Sequence, residues 1–536
     1  MPRYGWLTLA LVLTLAVETC VALRSPAISP DGVTFIEIAR ELRRAPLAVM
    51  RAQDQHPGYS ALIVGAHALL TAGDQRDSTR PDAAAWILAG QFVAMVAGLG
   101  CVVLCWLIAR RMYDHRIANI AALIAAGLPA LRQNAADVLS DTPHLCVYLL
   151  AAWCLQVGLE RASKSWLLAA GMASGCAFWI RPEGLSVAIV GGLYLFTAFC
   201  ASKSPRRQLT TQALALVCGA AIITAPYVLA TGKLTSKKDP LATVQKPAAF
   251  AMPLVNTPAA ESIAATPNVR VAPAIVVSPP PSGSWSSRLV DALEKYFVEL
   301  GYGFGYVMWI PWGFGTFAGS RPTPQGSSLR LLASLALFHS LLLIWLAMTA
   351  GYLGHRHVMP IIAVAIPATA AGIEWFGQRL GQLLHRPEYS PQFSFATMLT
   401  LVAIALPFST RPNNSVAAPV VEAADWVRDA SSEGQTLLAN SRYPHLYAEL
   451  DGPIFGIDVT DLDHGLRTLR PDFVLLDVDT RRYAPPRPEE LGPDYAPAFA
   501  AQGAGERAWH RVLVYRRTSP REPAPQLQAS GGQDLR

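Results

Sequence analysis

The sequence predicts an α-helical polytopic membrane protein that ends in a small soluble α/β domain. Apolar residues make up 52% of the 536 residues and charged residues only 15%, and the apolar residues form runs of about the length that crosses a bilayer. Short basic loops alternate with nearly uncharged loops between these runs, as in polytopic membrane proteins. After residue 411 the runs give way to the patterns of short helices and strands. The net charge of +6 is scattered, without a basic stripe with interleaved aromatics, so we expect no nucleic-acid partner.

The first apolar run, residues 4–23, predicts a retained transmembrane helix. Only Arg3 precedes it, as in a signal peptide, but Val21-Ala22-Leu23 is a poor cleavage site. Residues 24–83 then form the first outer loop. Within this loop, residues 34–44 alternate apolar and charged side chains at helical spacing, so we expect a helix on the membrane surface.

Residues 58–72 decide the topology of the rest of the chain. This run is apolar but short, and two glycines and a histidine interrupt it, which favours an interfacial or re-entrant helix over a spanning one. About eleven spans are then expected. They are 4–23, 84–109, 117–131, 141–159, 166–180, 184–200, 209–230, 302–318, 329–352, 357–376 and 394–410.

The positive-inside rule supports this topology and orients it. With residues 58–72 on the surface, the loops that carry Arg110, Arg161 and Arg206 fall on the same side as Arg3, as cytoplasmic loops of an inner or plasma membrane protein do. The N-terminus is then cytoplasmic. The opening loop, the turn at 137–141, the turn at Arg356 and the C-terminal region share the outer, periplasmic face, where we expect them to converge.

The chain divides into a membrane domain, residues 1–411, and an outer-face α/β domain, residues 412–518. Residues 239–284 are rich in Pro, Ala and Val, which predicts a disordered insertion in an outer loop, and the tail 519–536 is expected to be disordered as well. The pattern of the second domain predicts an amphipathic helix at 419–432 and strands at 436–439, 473–477 and 509–515. All eight cysteines fall in predicted spans and are expected to be small hydrophobes.

Two acidic residues are candidates for chemistry at the outer face. Asp31 lies just beyond the first span, where a carboxylate can act as a base or bind an acceptor, although Ser-Pro-Asp-Gly is also good chemistry for a turn and a helix N-cap. Asp141 begins a later span, and Ser140 or Asp141 could equally cap the helix that runs from Pro143. Two carboxylates at one face of a membrane bundle exceed what capping requires, and ionisable groups at the membrane edge are functional candidates.

Several cations accompany these carboxylates. His56, before Pro57-Gly58-Tyr59, either contacts a phosphate or starts a helix as an ordinary polar residue. Arg356 either reaches toward lipid phosphate or clamps the phosphate of a substrate. Arg181 has the same two interpretations and is placed to pair with Glu183. Lys237 is expected at the outer face, where interface anchoring is the commoner role of such residues.

These stretches together resemble the GT-C superfamily of membrane glycosyltransferases, in particular the branch with the protein O-mannosyltransferases and the lipid A aminoarabinose transferase. The resemblance covers about residues 4–410 and depends on the order and common sidedness of five motifs. The chain has Gly32 where many relatives have the second acid of Asp-Glu, and His56 where relatives often have Lys. The five motifs are Asp31-Gly32, His56-Pro57-Gly58-Tyr59, Leu139-Ser140-Asp141-Thr142-Pro143, Arg181-Pro182-Glu183-Gly184 and His355-Arg356-His357 with Pro360.

The resemblance implies transfer of a sugar from a polyprenyl-phosphate donor to an acceptor at the outer face, with inversion at the anomeric carbon. Asp31 would accept or orient the acceptor hydroxyl, and Arg356, with His56 or Lys237, would stabilise the departing phosphate. Asp141 would position the sugar or a basic partner, and Tyr59 and Arg181 would contact substrate as parts of their motifs. A metal is not required, because fixed cations suffice for a lipid monophosphate leaving group.

The alternative is a polytopic transporter, or a non-catalytic lipid-binding scaffold or partner subunit of another transferase. A transporter predicts ionisable residues in the middle of spans and internal repeats. The sequence has Glu18 and Glu374 within predicted spans and no evident repeat. The acidic candidates lie instead at one surface, so we favour the transferase.

Overall fold

The computed structural model describes residues 4–72, 83–201, 205–234, 284–318, 326–452, 454, 459–481 and 488–519. The described residues up to Ser415 form one compact unit, and those from Val416 onward form a second. The predicted insertion at 239–284 lies outside the described residues except for Ser284, as does the predicted tail after Ser519 and the candidate Lys237.

The first unit is helical throughout. Its helices pack around a common apolar core. In chain order they are α1 (Gly5–Arg24), α2 (Pro30–Arg44), α3 (Pro46–Ala52), α4 (Gly58–Thr71), α5 (Ala83–Met112), α6 (His115–Gly127), α7 (Pro129–Ala135), α8 (Asp141–Glu160), α9 (Lys164–Ile180), α10 (Ser186–Cys200), α11 (Arg206–Thr231), α12 (Trp285–Gly303), α13 (Trp309–Ala318), α14 (Gly326–Ala350), α15 (Met359–Leu383) and α16 (Ser390–Ser409).

Eight helical segments of the described chain are long and apolar enough to cross a membrane, so the predicted helical membrane fold is confirmed. Three further predicted spans form shorter or interrupted helices. The run 117–131 is divided between α6 and α7 because Pro129 starts a new helix. The run 166–180 lies in α9, which has 17 residues, and the run 302–318 is divided between the end of α12 and α13. Helix α4, at 14 residues, has the short length that was expected of it.

Helix α2 carries the first candidate carboxylate and begins four residues before the predicted start. Its N-cap is Ser29, whose side chain accepts a hydrogen bond of 3.1 Å from Gly32 N, and Pro30 occupies the first turn, where proline is tolerated. Its apolar face, which includes Val33 and Ile36, is fully buried in the protein. The hydroxyl of Ser60 on α4 donates to the carbonyl of Phe35 at 3.0 Å, so α4 fixes α2 against the bundle.

Helix α15 is the most enclosed of the spans, with 94% of its most apolar window buried. A helix that is apolar on every side belongs in the interior of a bundle. The short 3₁₀ turn His355–Val358 leads directly into it. That turn is therefore attached to the N-terminal end of a helix that has little freedom to move.

The second unit is a small α/β domain, as predicted. Its four strands form one mixed sheet in the order β1-β2-β4-β3, in which β1 and β2 are parallel and the other pairs antiparallel. The strands are β1 (Leu437–Ala439), β2 (Phe473–Asp479), β3 (Tyr495–Gln502) and β4 (His510–Arg517), and the helices are α17 (Ala418–Ala430), α18 (Tyr443–Ala448) and α19 (Val459–Leu469).

The predicted helix and three predicted strands of this domain correspond to α17, β1, β2 and β4. Strand β3 was not predicted, because most of its residues are not buried and it contains Pro497. Proline is tolerated on an edge strand, which needs few of its backbone N–H groups for pairing, so the composition of such a strand gives little signal.

Candidate active site

Asp31 lies in the first turn of α2 and is free of any capping role. Ser29 caps the helix, so the interpretation of Asp31 as the cap is wrong. Oδ2 of Asp31 instead accepts a hydrogen bond of 2.5 Å from Nη1 of Arg356. The side chain of Asp31 is 47% exposed and that of Arg356 is 28% exposed, so this ion pair can be reached from outside the bundle.

The turn that carries Arg356 is held in place on both sides. Nη2 of Arg356 donates to the Tyr352 hydroxyl at 3.3 Å, and Gly354 N donates to Nδ1 of His357 at 3.2 Å. On the bundle side, Nε2 of the buried His339 lies 3.3 Å from the carbonyl oxygen of His357. The direction of the guanidinium is therefore set by the protein before any ligand arrives.

A second ion pair lies deeper in the same end of the bundle. Nη1 of Arg181, at the end of α9, donates to Oδ1 of Asp141, at the start of α8. Nε of Arg181 also lies 3.6 Å from Glu183, as the sequence suggested. Asp141 is 5% exposed and Arg181 is 15% exposed. Ser140 occupies the N-cap position of α8 without a side-chain hydrogen bond, so the contact with Arg181, a basic partner, is what the structure shows for Asp141.

The two ion pairs form one electrostatic network, because the charge of Arg356 also acts on Asp141. Two carboxylates and two guanidinium groups therefore lie together at one end of the bundle. Contacts among the opening loop, the turn at 137–141 and the turn at Arg356 confirm the predicted convergence of these three segments. The predicted convergence of the C-terminal region with them stays a prediction.

Asp137 is a further carboxylate of this region, and the sequence analysis did not select it. It accepts hydrogen bonds from Ser29 N at 2.9 Å, Val138 N at 2.7 Å and Asn414 Nδ2 at 2.9 Å. Burial raises the pKa of Asp137, and these hydrogen bonds oppose the shift because they favour the ionised form. Its position four residues before Asp141 in the same turn was the only signal in the sequence.

Glu299 on α12 adds another carboxylate at the edge of the site. Its Oε2 lies 3.9 Å from Nδ1 of His355, the residue before Arg356. Burial raises the pKa of Glu299, and a hydrogen bond from the backbone of His355 opposes that shift. The sequence analysis missed Glu299 because α12 itself was not predicted.

His56 and Tyr59 are placed differently from the other candidates. The His56 ring stacks on Tyr227 with centroids 4.9 Å apart and meets the edge of Phe178 at 4.9 Å. The Tyr59 hydroxyl donates to the carbonyl of Gly90 at 3.0 Å. Both side chains are buried, so these contacts give them packing roles, and their assignment to substrate stays a prediction.

The arrangement combines an accessible carboxylate, a fixed cation beside it and a buried ion pair beneath them. A carboxylate can take a proton from a hydroxyl, and a fixed cation can stabilise negative charge that develops in a site poor in water. In the described part of the chain, no group of three or more His, Cys, Asp or Glu side chains is arranged to hold a metal ion.

Comparison with known proteins shows which family model and which solved structures this chain resembles. Residues 86–229 match the family model of the dolichyl-phosphate-mannose-protein mannosyltransferases. The structure is similar to that of ArnT from Cupriavidus metallidurans bound to undecaprenyl phosphate, with a TM-score of 0.58 and 15% identity over 97% of this chain and 100% of that one. The predicted resemblance to the GT-C glycosyltransferases is confirmed.

Two other structures are similar to this chain over most of its length. ArnT from the same organism in the apo state gives a TM-score of 0.55 and 16% identity over 96% of this chain and 98% of that one. The oligosaccharyltransferase AglB from Archaeoglobus fulgidus, in complex with an inhibitory peptide and a dolichol-phosphate, gives a TM-score of 0.54. Its sequence is 11% identical, over 89% of this chain and 70% of that one. A comparison with curated protein sequences finds no match. The chain thus has the fold of these membrane-protein structures, and eight helical segments of its described part are long and apolar enough to cross a membrane.

Proposed function

We propose that this protein transfers a sugar from a polyprenyl-phosphate-linked donor to an acceptor at the periplasmic or lumenal face of the membrane, with inversion. The observation that carries the proposal is the 2.5 Å contact between Asp31 and Arg356, which joins residues 325 positions apart in the chain. The similarity to an ArnT structure that contains undecaprenyl phosphate, and to an AglB structure that contains a dolichol-phosphate, supports this class of donor.

In this reaction the acceptor oxygen bonds to the anomeric carbon while the bond from that carbon to the phosphate oxygen breaks. The lipid phosphate leaves with the electron pair, and Asp31 takes the proton of the acceptor hydroxyl. The transition state resembles an oxocarbenium ion, in which negative charge grows on the departing phosphate. Arg356 stabilises that charge without having to reorganise, because Tyr352 and the turn around it already fix its direction.

The Asp31–Arg356 pair also explains how the charges of the site are balanced before the donor binds. Without a substrate the two opposite charges compensate each other. When a donor phosphate enters, it competes with Asp31 for the guanidinium, which leaves the carboxylate available to the acceptor hydroxyl. The Asp141–Arg181 pair lies beneath, where it keeps a second guanidinium near the sugar and phosphate without an uncompensated buried charge.

The test is sugar transfer in proteoliposomes. Purified protein would be supplied with radiolabelled polyprenyl-phosphate sugars and an envelope extract that contains acceptors. Asp31→Asn should lower the transfer rate by at least about a hundredfold, the usual effect of losing a general base. Asp291→Asn is the matched control, because Asp291 is 60% exposed and only 3.8 Å from Lys295 on the same helix, and this variant should retain the wild-type rate.

Either of two results would overturn the proposal. One is an Asp31→Asn variant, correctly inserted in the membrane, that transfers sugar as fast as the wild type. The other is a wild-type protein that transfers nothing from any donor. The transporter or lipid-binding scaffold would then become the better explanation of the fold.

A further inference from the structure

A cavity of about 190 Å³ lies at the end of the bundle opposite the candidate active site, between α8, α10, α11 and α14. Helix α8 has Asp141 as its first residue and Glu160 as its last, and its 20 residues span about 30 Å, the thickness of the hydrocarbon core. The cavity is therefore at the other membrane interface. Its polar lining consists of Gln156, Glu160, Tyr194, Gln208, Gln212 and Ser328.

Gln156 is the unusual residue of this lining. Its side chain is 2% exposed, and neither its amide nitrogen nor its amide oxygen has a hydrogen-bond partner among the described residues. Buried polar groups are almost always paired, because an unpaired one loses the hydrogen bonds that it made to water. The neighbouring Gln212 is also buried. The geometry therefore points to a partner that is not part of the described chain.

The charge of Glu160 is already compensated, so the cavity is not a vacant cation site. Its Oε2 accepts a hydrogen bond of 2.5 Å from Nη2 of Arg111, and its Oε1 accepts one of 2.8 Å from Ser328. The groups left to recognise a ligand are the neutral amides and the Tyr194 hydroxyl, which both donate and accept. Such groups pair with hydroxyls and with phosphate oxygens.

The surroundings of the cavity match a lipid molecule. Arg161 and Arg207 are exposed and directly adjoin the lining residues Ala162 and Gln208 in the chain, so they supply positive charge to this interface. Leu195, Leu209 and Leu331 form buried apolar walls. The outer surfaces of α10 and α11 expose large apolar side chains suited to acyl chains, including Leu193, Phe196, Leu214 and Val217.

We propose that this cavity binds the head group of an anionic phospholipid with free hydroxyls, of the phosphatidylglycerol type. The head-group hydroxyls pair with the amides of Gln156 and Gln212, and the phosphate lies toward Arg161 and Arg207. The acyl chains lie along α10 and α11. This site is separate from the Asp31–Arg356 pair, so the proposal does not depend on sugar transfer.

The test measures lipid binding to the full-length, delipidated protein by native mass spectrometry and by thermal unfolding. Phosphatidylglycerol is compared with phosphatidic acid, which is anionic but lacks the head-group hydroxyls, and with phosphatidylcholine. We expect phosphatidylglycerol to bind most tightly. Gln156→Leu should weaken its binding about tenfold, the effect of one or two lost hydrogen bonds.

Two further variants keep the result interpretable. Gln378→Leu is the control, because Gln378 lies at the same end of the bundle but pairs with Glu374 and does not line the cavity; it should bind lipid as the wild type does. Gln212→Leu should weaken binding as Gln156→Leu does, and it replaces that variant if it fails to fold.

The competing explanation is a cavity filled by water, which would hold about six molecules. Gln156→Leu would then leave the ranking of the three lipids and their affinities unchanged. That result overturns the proposal, and so does equal binding of phosphatidylglycerol and phosphatidylcholine. Equal binding of phosphatidylglycerol and phosphatidic acid overturns the role of the hydroxyls.

Discussion

The backbone N–H of Ser29 donates a hydrogen bond of 2.9 Å to Oδ1 of Asp137, across 108 residues of sequence. Ser29 also caps the helix that begins with Pro30 and Asp31. The same carboxylate accepts a hydrogen bond from Asn414, after the last membrane helix. Asp137 therefore joins three segments of the chain and sets the start of α2, so it positions Asp31 through the backbone.

Asp137→Asn should lower both stability and transfer rate. The amide keeps one acceptor oxygen but directs an NH₂ group at N–H donors, so we expect the free energy of unfolding to fall by about 1–3 kcal/mol. Because the start of α2 loses its anchor, kcat should fall more than KM changes. Thermal unfolding in detergent and transfer kinetics in proteoliposomes measure the two effects.

Asp114→Ala is the control for this variant. Asp114 caps α6 by accepting hydrogen bonds of 2.9 Å from Arg116 N and Ile117 N, at the end of the bundle away from Asp31. It should lose about 1 kcal/mol of stability and keep its kcat. An equal loss of kcat in both variants would show that Asp137 acts only through overall stability.

Arg356→Lys should reduce transfer although it keeps the positive charge. The guanidinium of Arg356 reaches Asp31 with one nitrogen and Tyr352 with another, and a lysine ammonium on its flexible stem cannot keep this fork geometry. We expect kcat/KM to fall by about ten- to a hundredfold. Arg379→Lys, which alters a cation that packs on the Trp375 ring farther along α15, should have the wild-type rate. If Arg356→Lys had unchanged kinetics, Arg356 would contribute to transfer only through its positive charge.

Gly98→Ala should destabilise the bundle. Glu18 and Arg132 form an ion pair with both side chains 0% exposed, and a Cβ at Gly98 would meet the Glu18 carboxylate and lie 2.9 Å from Cβ of Ala135. Forcing a methyl group into this packing should cost about 1–3 kcal/mol. The loss would appear as a lower midpoint of thermal unfolding.

Gly65→Ala provides the matched comparison on another helix. A Cβ at Gly65 meets nothing within 4 Å, so removing a helical glycine should raise stability by about 0.5–1 kcal/mol. If Gly98→Ala and Gly65→Ala shifted the unfolding midpoint in the same direction, a glycine at position 98 would not be required for the packing around Glu18.

His510 should make the stability of the α/β domain depend on pH. The hydrogen bond from its ring to Asp477, 2.5 Å long, raises its pKa above the ordinary 6.5, although burial acts in the opposite direction. A histidine with a raised folded-state pKa contributes stability that is fully present below about pH 6.5 and is lost as pH rises through the folded-state pKa. Hydrogen exchange of β2 and β4 in the full-length protein, measured across this range, should show protection falling as pH rises.

Asp477→Asn removes the carboxylate that causes this effect. The neutral amide does not favour the imidazolium, so protection of β2 and β4 in this variant should vary less with pH than in the wild type. The same pH dependence in both proteins would assign the titration to another group.

The sidedness of the candidate residues could be predicted because it depends on chain order and loop charge. Once residues 58–72 are kept out of the bilayer, the start of α2, the turn before α8 and the turn before α15 are assigned to one face. Asp31 and Arg356 were both selected in this way, and their contact follows from a shared face and opposite charge. Their 2.5 Å geometry depends on Ser29, Tyr352 and His339, whose roles no local pattern reveals.

For other features, the local sequence did not reveal the role that the residue has in the structure. His56 and Tyr59 stand in a recognisable motif, but whether a motif residue faces a ligand or an aromatic core depends on the helices packed around it. Helix α12 follows a segment of biased composition, which hid its start at Ser284. Asp137 is one of several polar residues in its turn, and its importance comes from donors on two distant segments.

The fold class, most of the spans and the convergence of Asp31, Asp141 and Arg356 at one end of the bundle could be predicted from the sequence alone. These properties follow from hydrophobic length, loop charge and periodicity, which are local quantities. Tertiary structure alone decided that Ser29 caps α2, that Arg181 pairs with Asp141, and that Gln156 lines a cavity without a partner. Each of these depends on side chains brought together from distant helices, because in a packed bundle the neighbours of a residue are set by the helices around it.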